Sequence, residues 1–99
     1  MTIDPLLEEK QYYSEIVFKY LNGLTRSEDA SLNYYSMQLN NQNATEEGFR
    51  KFSDIAADII VERIYAQKRK GKTLTDTDLQ NVMSTGLRDA WKKYNEESN

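Results

Sequence analysis

Residues 45–70, TEEGFRKFSDIAADIIVERIYAQKRK, form the longest unbroken helical pattern in the chain, and their reading decides the fold. Phe49, Phe52, Ile55, Ala56, Ile59, Ile60 and Ile64 recur at steps of three and four. At about 100° per residue these side chains gather on one face. Ala57, Val61 and Tyr65 widen that face to one side and leave Glu47, Lys51, Asp54, Asp58 and Glu62 as the solvent stripe. So wide an apolar arc predicts a central helix over about 46–70 with neighbours on more than one side.

On its C-terminal side, Lys68, Arg69 and Lys70, before Gly71, complement the negative end of the helix dipole. A last helix then starts from a strong signal. Thr75 is the cap with Asp78 three residues on, and Leu74 can staple against Leu79. Its apolar face is Leu79, Val82, Met83, Leu87, Ala90, Trp91 and Tyr94. Gly86 interrupts that face, where a small residue lets another helix approach closely. The tail from about residue 95 carries no apolar side chain and is expected to fray.

On the N-terminal side, residues 40–43 are Asn-Asn-Gln-Asn, a loop composition, and either Asn43 or Thr45 can cap the central helix. The preceding segment, 26–41, reads as a helix opened by a Thr25–Glu28 capping box. It has two faces. Leu32, Tyr35 and Leu39 fall on one side, with Ala30, Tyr34 and Met37 nearly opposite. Alternation over residues 35–40 also fits a strand, but the chain offers no second strand to pair with it. The first helix spans about 5–22, from the Asp4 cap and Pro5 to a stop at Gly23. Its apolar face is Leu6, Tyr13, Ile16, Val17, Tyr20 and Leu21. The expected architecture is all-α, a compact bundle of about four helices around residues 46–70, forming a single domain over 1–99.

Composition narrows the function. There is no cysteine, which excludes disulfides and thiolate chemistry and fits a cytoplasmic protein. There is no histidine either, which removes the commonest general base and zinc ligand. With 16 acidic and 13 basic residues the formal charge is −3, so no global field favours nucleic acid or anionic membrane. No stretch has the apolar length of a membrane span.

Three constellations bear on chemistry. Asp54, Asp58 and Glu62 lie four apart, as in a divalent-metal or acid–base stripe, but Arg50, Lys51 and Arg63 stand close enough to explain them by local ion pairing. Residues 68–72 hold four cations, Lys68, Arg69, Lys70 and Lys72, which could grip phosphates beside the start of the last helix. Arg63 falls within the apolar stripe, so its charge must snorkel to water or meet a carboxylate. Asp89 is the candidate within the chain, and a partner's carboxylate is the alternative.

A short helix, a long helix, a basic turn and then Lys72-Thr73-Leu74-Thr75-x-x-Asp78-Leu79 resemble the second loop and last helix of a histone fold. The order and lengths of helices from about residue 29 to 95 are similar as well. The resemblance implies obligate pairing of chains and association with DNA. Gly71 departs from the pattern, standing where an arginine usually precedes the Lys-Thr pair.

These observations point first to a non-catalytic protein–protein interaction module: a small regulator, inhibitor, adaptor or self-associating subunit. Tyr34, Met37, Arg63 and Tyr65 are its candidate partner-binding residues, and no cofactor or metal is expected. Seven tyrosines, three phenylalanines and one tryptophan supply aromatic surface of the kind interfaces favour. The alternative is a nucleic-acid-associated, histone-fold-like protein using the turn 68–72. An enzyme is not expected.

Overall fold

The computed structural model describes residues 5–21 and 30–98 and, within these, all side chains but those of residues 30, 31 and 98. The described chain is all helical: α1 (Pro5–Leu21), α2 (Ala30–Asn41), α3 (Glu46–Arg69) and α4 (Asp76–Ser98). The Asp4 cap, the Gly23 stop, the Thr25–Glu28 box and a helix start near residue 26 lie outside the described residues. Among the described helices none is long and apolar enough to cross a membrane.

Local chemistry sets each visible boundary. Thr45 caps α3 by accepting a hydrogen bond from the Gly48 amide. Asn43 instead serves the end of α2, at φ 56°. The amides of Ala44 and Asn43 reach back to the carbonyls of Leu39 and Asn40, closing α2 in the left-handed stop that asparagine tolerates. The end of α3 repeats the device with Gly71 at φ 77°, its amide on the Lys68 carbonyl and that of Lys72 on Gln67. The α4 box is closed both ways: the Asp78 amide donates to Thr75 Oγ1 at 3.2 Å, and the Thr75 amide to the Asp78 carboxylate at 3.0 Å. At the other end α4 is helical through Ser98. Asn95 holds that turn, donating to the Trp91 carbonyl and accepting from Gln42.

α1 and α4 pack along opposite flanks of α3. Both run antiparallel to it. Lys10 reaches Asp58 and Glu62 while Glu15 reaches Arg50, and Arg63 reaches Asp89 while Phe52 meets Tyr94. Between the flanking helices, α2 touches both α1 and α4 and presses Leu32, Tyr35 and Leu39 onto the core. The Ser36 hydroxyl ties it to α1 through the Leu21 carbonyl at 2.7 Å. Under α2 the core is aromatic, with Phe52 completely buried and ringed by Tyr35, Trp91 and Tyr94. Gly86 does what its position suggested: an added Cβ would stand 2.6 Å from Ile60 Cγ1, so α4 lies closer to α3 there than any side chain permits.

The acidic stripe has a different explanation from local pairing. Lys10 on α1 bridges Asp58 and Glu62, each at 2.8 Å, and the Ser14 hydroxyl donates to Asp54. Arg50 pairs with Glu15 on α1 and lays its guanidinium 3.8 Å over the Phe18 ring, which buries Phe18 despite its place off the apolar face. The expected solvent stripe is therefore partly the seam that holds α1.

Candidate interaction surface

α2 bridges α1 and α4 near the N-terminal end of α3, where Tyr35 packs on Phe52 and Trp91. Toward the C-terminal end of α3, the described residues of α1, α3 and α4 line a groove of about 660 Å³. Ile64 and Leu74 form its apolar floor. Tyr12 and Tyr13 on α1 make one wall and Leu79 on α4 the other, with Glu8, Glu9, Lys68 and Lys72 at the rim. Its size falls in the range of about 300–1,000 Å³ that encloses ligands and anchoring side chains.

The two-faced pattern of α2 resolves in the same region. Leu32, Tyr35 and Leu39 face inward, while Tyr34 and Met37 are 52% and 58% exposed on the opposite side. Among the described residues, five large apolar side chains stand exposed: these two, Leu7, Tyr12 and Leu79. All but Leu7 sit on α2 or on the walls of the groove. Leu79, expected inside the apolar face of α4, is 40% exposed on the wall of the groove.

The other candidate partner-binding residues do not join this surface. Arg63 lies on the α3–α4 seam, where it pairs with Asp89 and donates to Thr85 Oγ1 at 3.3 Å. The carboxylate expected within the chain is thus the one it meets. That hydrogen bond holds the Asp89 carboxyl below its ordinary value. Arg63 is also 11 residues, about 16 Å along the helix, from Phe52, where α2 packs. Tyr65 is half-buried on α3 with Lys68 Nζ 5.5 Å over its ring.

In the basic turn Lys68, Arg69, Lys70 and Lys72 are all exposed. Its suitability for phosphate is reduced by the neighbouring cap. The Thr75 amide holds the Asp78 carboxyl ionised below its ordinary range, and Lys72 stands 3.8 Å from that carboxylate. Asp76 adds a second negative charge in the first turn of α4. An anion arriving at this helix start would meet two carboxylates. Among the described residues no three acidic side chains converge as metal ligands.

Two features escaped the pattern of the sequence. Burial raises the Tyr13 phenol above its ordinary pKa, so this groove wall stays neutral at physiological pH. A second, polar groove of about 470 Å³ follows the α3–α4 seam beside Arg63, Gln67 and Thr85, and the buried side-chain amide oxygen of Gln67, Oε1, has no hydrogen-bond partner there. No family model, no curated protein and no solved structure matches this chain.

Proposed function

We propose that the protein is a non-catalytic interaction module whose working surface is the α1–α4 face, formed by the exposed ridge of α2 and the open groove beside it. One observation carries this reading: among the described residues, Tyr34 and Met37 stand exposed on α2, and Tyr12 and Leu79 stand exposed on the walls of the adjoining groove. Interface cores are built from such aromatic and methionine side chains around apolar pockets. Arg63 and Tyr65, the remaining candidates, act through the fold, because the Arg63 fork is already engaged by Asp89 and Thr85. A cytoplasmic location belongs to the same proposal. The nucleic-acid alternative is set behind it, because carboxylates crowd the helix start that the basic turn would need.

The test is positional cross-linking in the cell of origin. A photo-reactive residue replaces Met37, Tyr12 or the exposed Glu47 of α3, one at a time. Positions 37 and 12 should give discrete adducts and position 47 none. Equal labelling at all three would remove the surface from consideration.

A further inference from the structure

We propose that the first half of α1, residues 5–13, is a movable wall of the groove that swings about Ser14 and is held closed by Lys10. α1 changes character at Ser14. Ser14, Val17, Phe18 and Leu21 are buried, and Arg50 clamps that half by pairing with Glu15 and lying over Phe18. From Pro5 to Tyr13 no side chain is buried: Leu6, Glu9, Lys10 and Tyr13 are half-buried and the rest are exposed. Among the described residues, the ion pairs of this half are those of Lys10, whose Nζ lies 2.8 Å from both Asp58 and Glu62 on α3. The α1 residues that line the groove, Glu8, Glu9, Tyr12 and Tyr13, all belong to the same half. The weakly packed part of the helix and the wall are one segment.

The two halves are fastened by forces that respond differently to charge. Val17 and Leu21 are held by complete apolar burial, which salt does not screen. Lys10 is held by carboxylates whose side chains are about half exposed, and pairs of that kind weaken as salt rises. Asp58 and Glu62 stand four apart on α3 and repel each other unless a cation bridges them. Removing the Lys10 charge therefore replaces a contact that draws the segment onto α3 with two like charges that are better served by water. Once the wall lifts, Tyr12 and Tyr13 leave the side of the groove, and its floor of Ile64 and Leu74 opens to a wider partner. Access to the interaction surface then follows the charge of one lysine, an amine whose charge acetylation removes. This regulation rests on the interaction-module reading. The motion itself is measured without a partner, so its failure leaves the module standing, and loss of the cross-links at positions 37 and 12 leaves the motion standing.

The experiment is residue-resolved amide hydrogen exchange on the full chain. It compares wild type with Lys10→Met, which keeps an apolar stem without the charge, and with Lys10→Arg, which keeps the charge. In wild type the amides of residues 10–13 should exchange about tenfold faster than those of 17–21, since the wall opens without the packed half. Lys10→Met should speed residues 10–13 by about a further threefold and leave 17–21 unchanged, while Lys10→Arg should match wild type. Raising sodium chloride from about 0.05 to about 1 M should speed the same amides in wild type and not in Lys10→Met. The chain has no cysteine, so a pair of spin labels introduced through Gln11→Cys and Thr77→Cys, both exposed positions, reports the wall alone. In the Lys10→Met background that pair should gain a longer distance, whereas a pair at Lys19→Cys and Thr77→Cys, beyond the hinge, should not. Ordinary fraying of a helix end gives a gradient that ignores both Lys10 and salt, and finding that gradient would overturn the proposal. So would acceleration along the whole of α1, which means that the helix undocks as one piece, or an unchanged distance between positions 11 and 77.

Discussion

The two ends of the bundle share α3 and differ in what closes them. At one end α2 lies across the gap and the interior is a packed aromatic cluster, Phe52 with Tyr35, Trp91 and Tyr94 at centroid distances of 5.8 to 5.9 Å. At the other end, among the described residues, Ile64, Leu74 and Leu79 line a groove between the same two flanking helices. Both ends have apolar side chains at helical spacing, so composition does not separate them. What separates them among the described residues is the contact with α2, whose Leu32, Tyr35 and Leu39 are buried at the closed end.

The largest expected effect tests that contrast directly. Phe52→Ala should destabilise the closed end by about 3–5 kcal/mol through a cavity that rigid helices cannot collapse. Leu79→Ala at the open end should stay within about 0.5 kcal/mol, as an exposed substitution does. Urea denaturation of both variants gives the ratio. Comparable losses would mean that the open end is packed as tightly as the closed one.

The next effect lies on the seam both ends share. Gly86→Ala gains about 1 kcal/mol of helix propensity but places a methyl against Ile60, and overpacking a core costs about 1–3 kcal/mol. The expected net loss is about 1 kcal/mol, and a stabilised variant would show that α3 and α4 can separate there without penalty.

A smaller effect concerns charge at the open end. Asp78 and Asp89 ionise more readily in the folded chain than in the unfolded one. Their contribution is therefore present above about pH 4 and lost as the pH falls through their lowered values. Lys10, held protonated by Asp58 and Glu62, has a raised pKa, and burial raises those of Tyr13 and Tyr35. Their contributions are complete below about pH 10 and lost as the pH rises through the raised values. Urea midpoints against pH should be flat from about 5 to 9 and fall on both sides. A step near neutrality would contradict the assignment, since the chain has no histidine to titrate there.

The smallest expected effect is that of Arg63→Met. The Arg63–Asp89 pair is more than a third exposed on both sides, and pairs of that kind are worth about 0–1 kcal/mol. Stability should change by no more than that, and association not at all. Lost association would return Arg63 to the partner surface.

The contrast also explains what could be read from the chain beforehand. α3 was legible because Phe49 to Ile64 repeat at helical spacing. The start of α4 was legible because a capping box is local, and Asp89 and Gly86 because both lie on the same face as the residues they meet. The seam of Asp54, Asp58 and Glu62 was misread as locally paired, since its partners Lys10 and Ser14 stand 40 to 52 residues away and no periodicity encodes that distance. Phe18 is buried under Arg50 for the same reason. The groove was invisible because its lining comes from α1, α3 and α4 together, a relation between elements. Leu79 has the spacing of a core residue yet stands 40% exposed.

The antiparallel seam between α1 and α3 also bears on synthesis. Ser14 and its acceptor Asp54 are 40 positions apart, and Lys10 and Glu62 are 52 apart, whereas α3 and α4 are joined by only residues 70–75. α1 therefore leaves the ribosome well before the helix it docks on, while α4 finds its partner already made. During translation the buried face of α1, with Val17, Phe18 and Leu21, waits exposed for about 40 further residues, several seconds at typical elongation rates. In that interval a chaperone, or a nascent neighbour on the same message, has its best access to this chain.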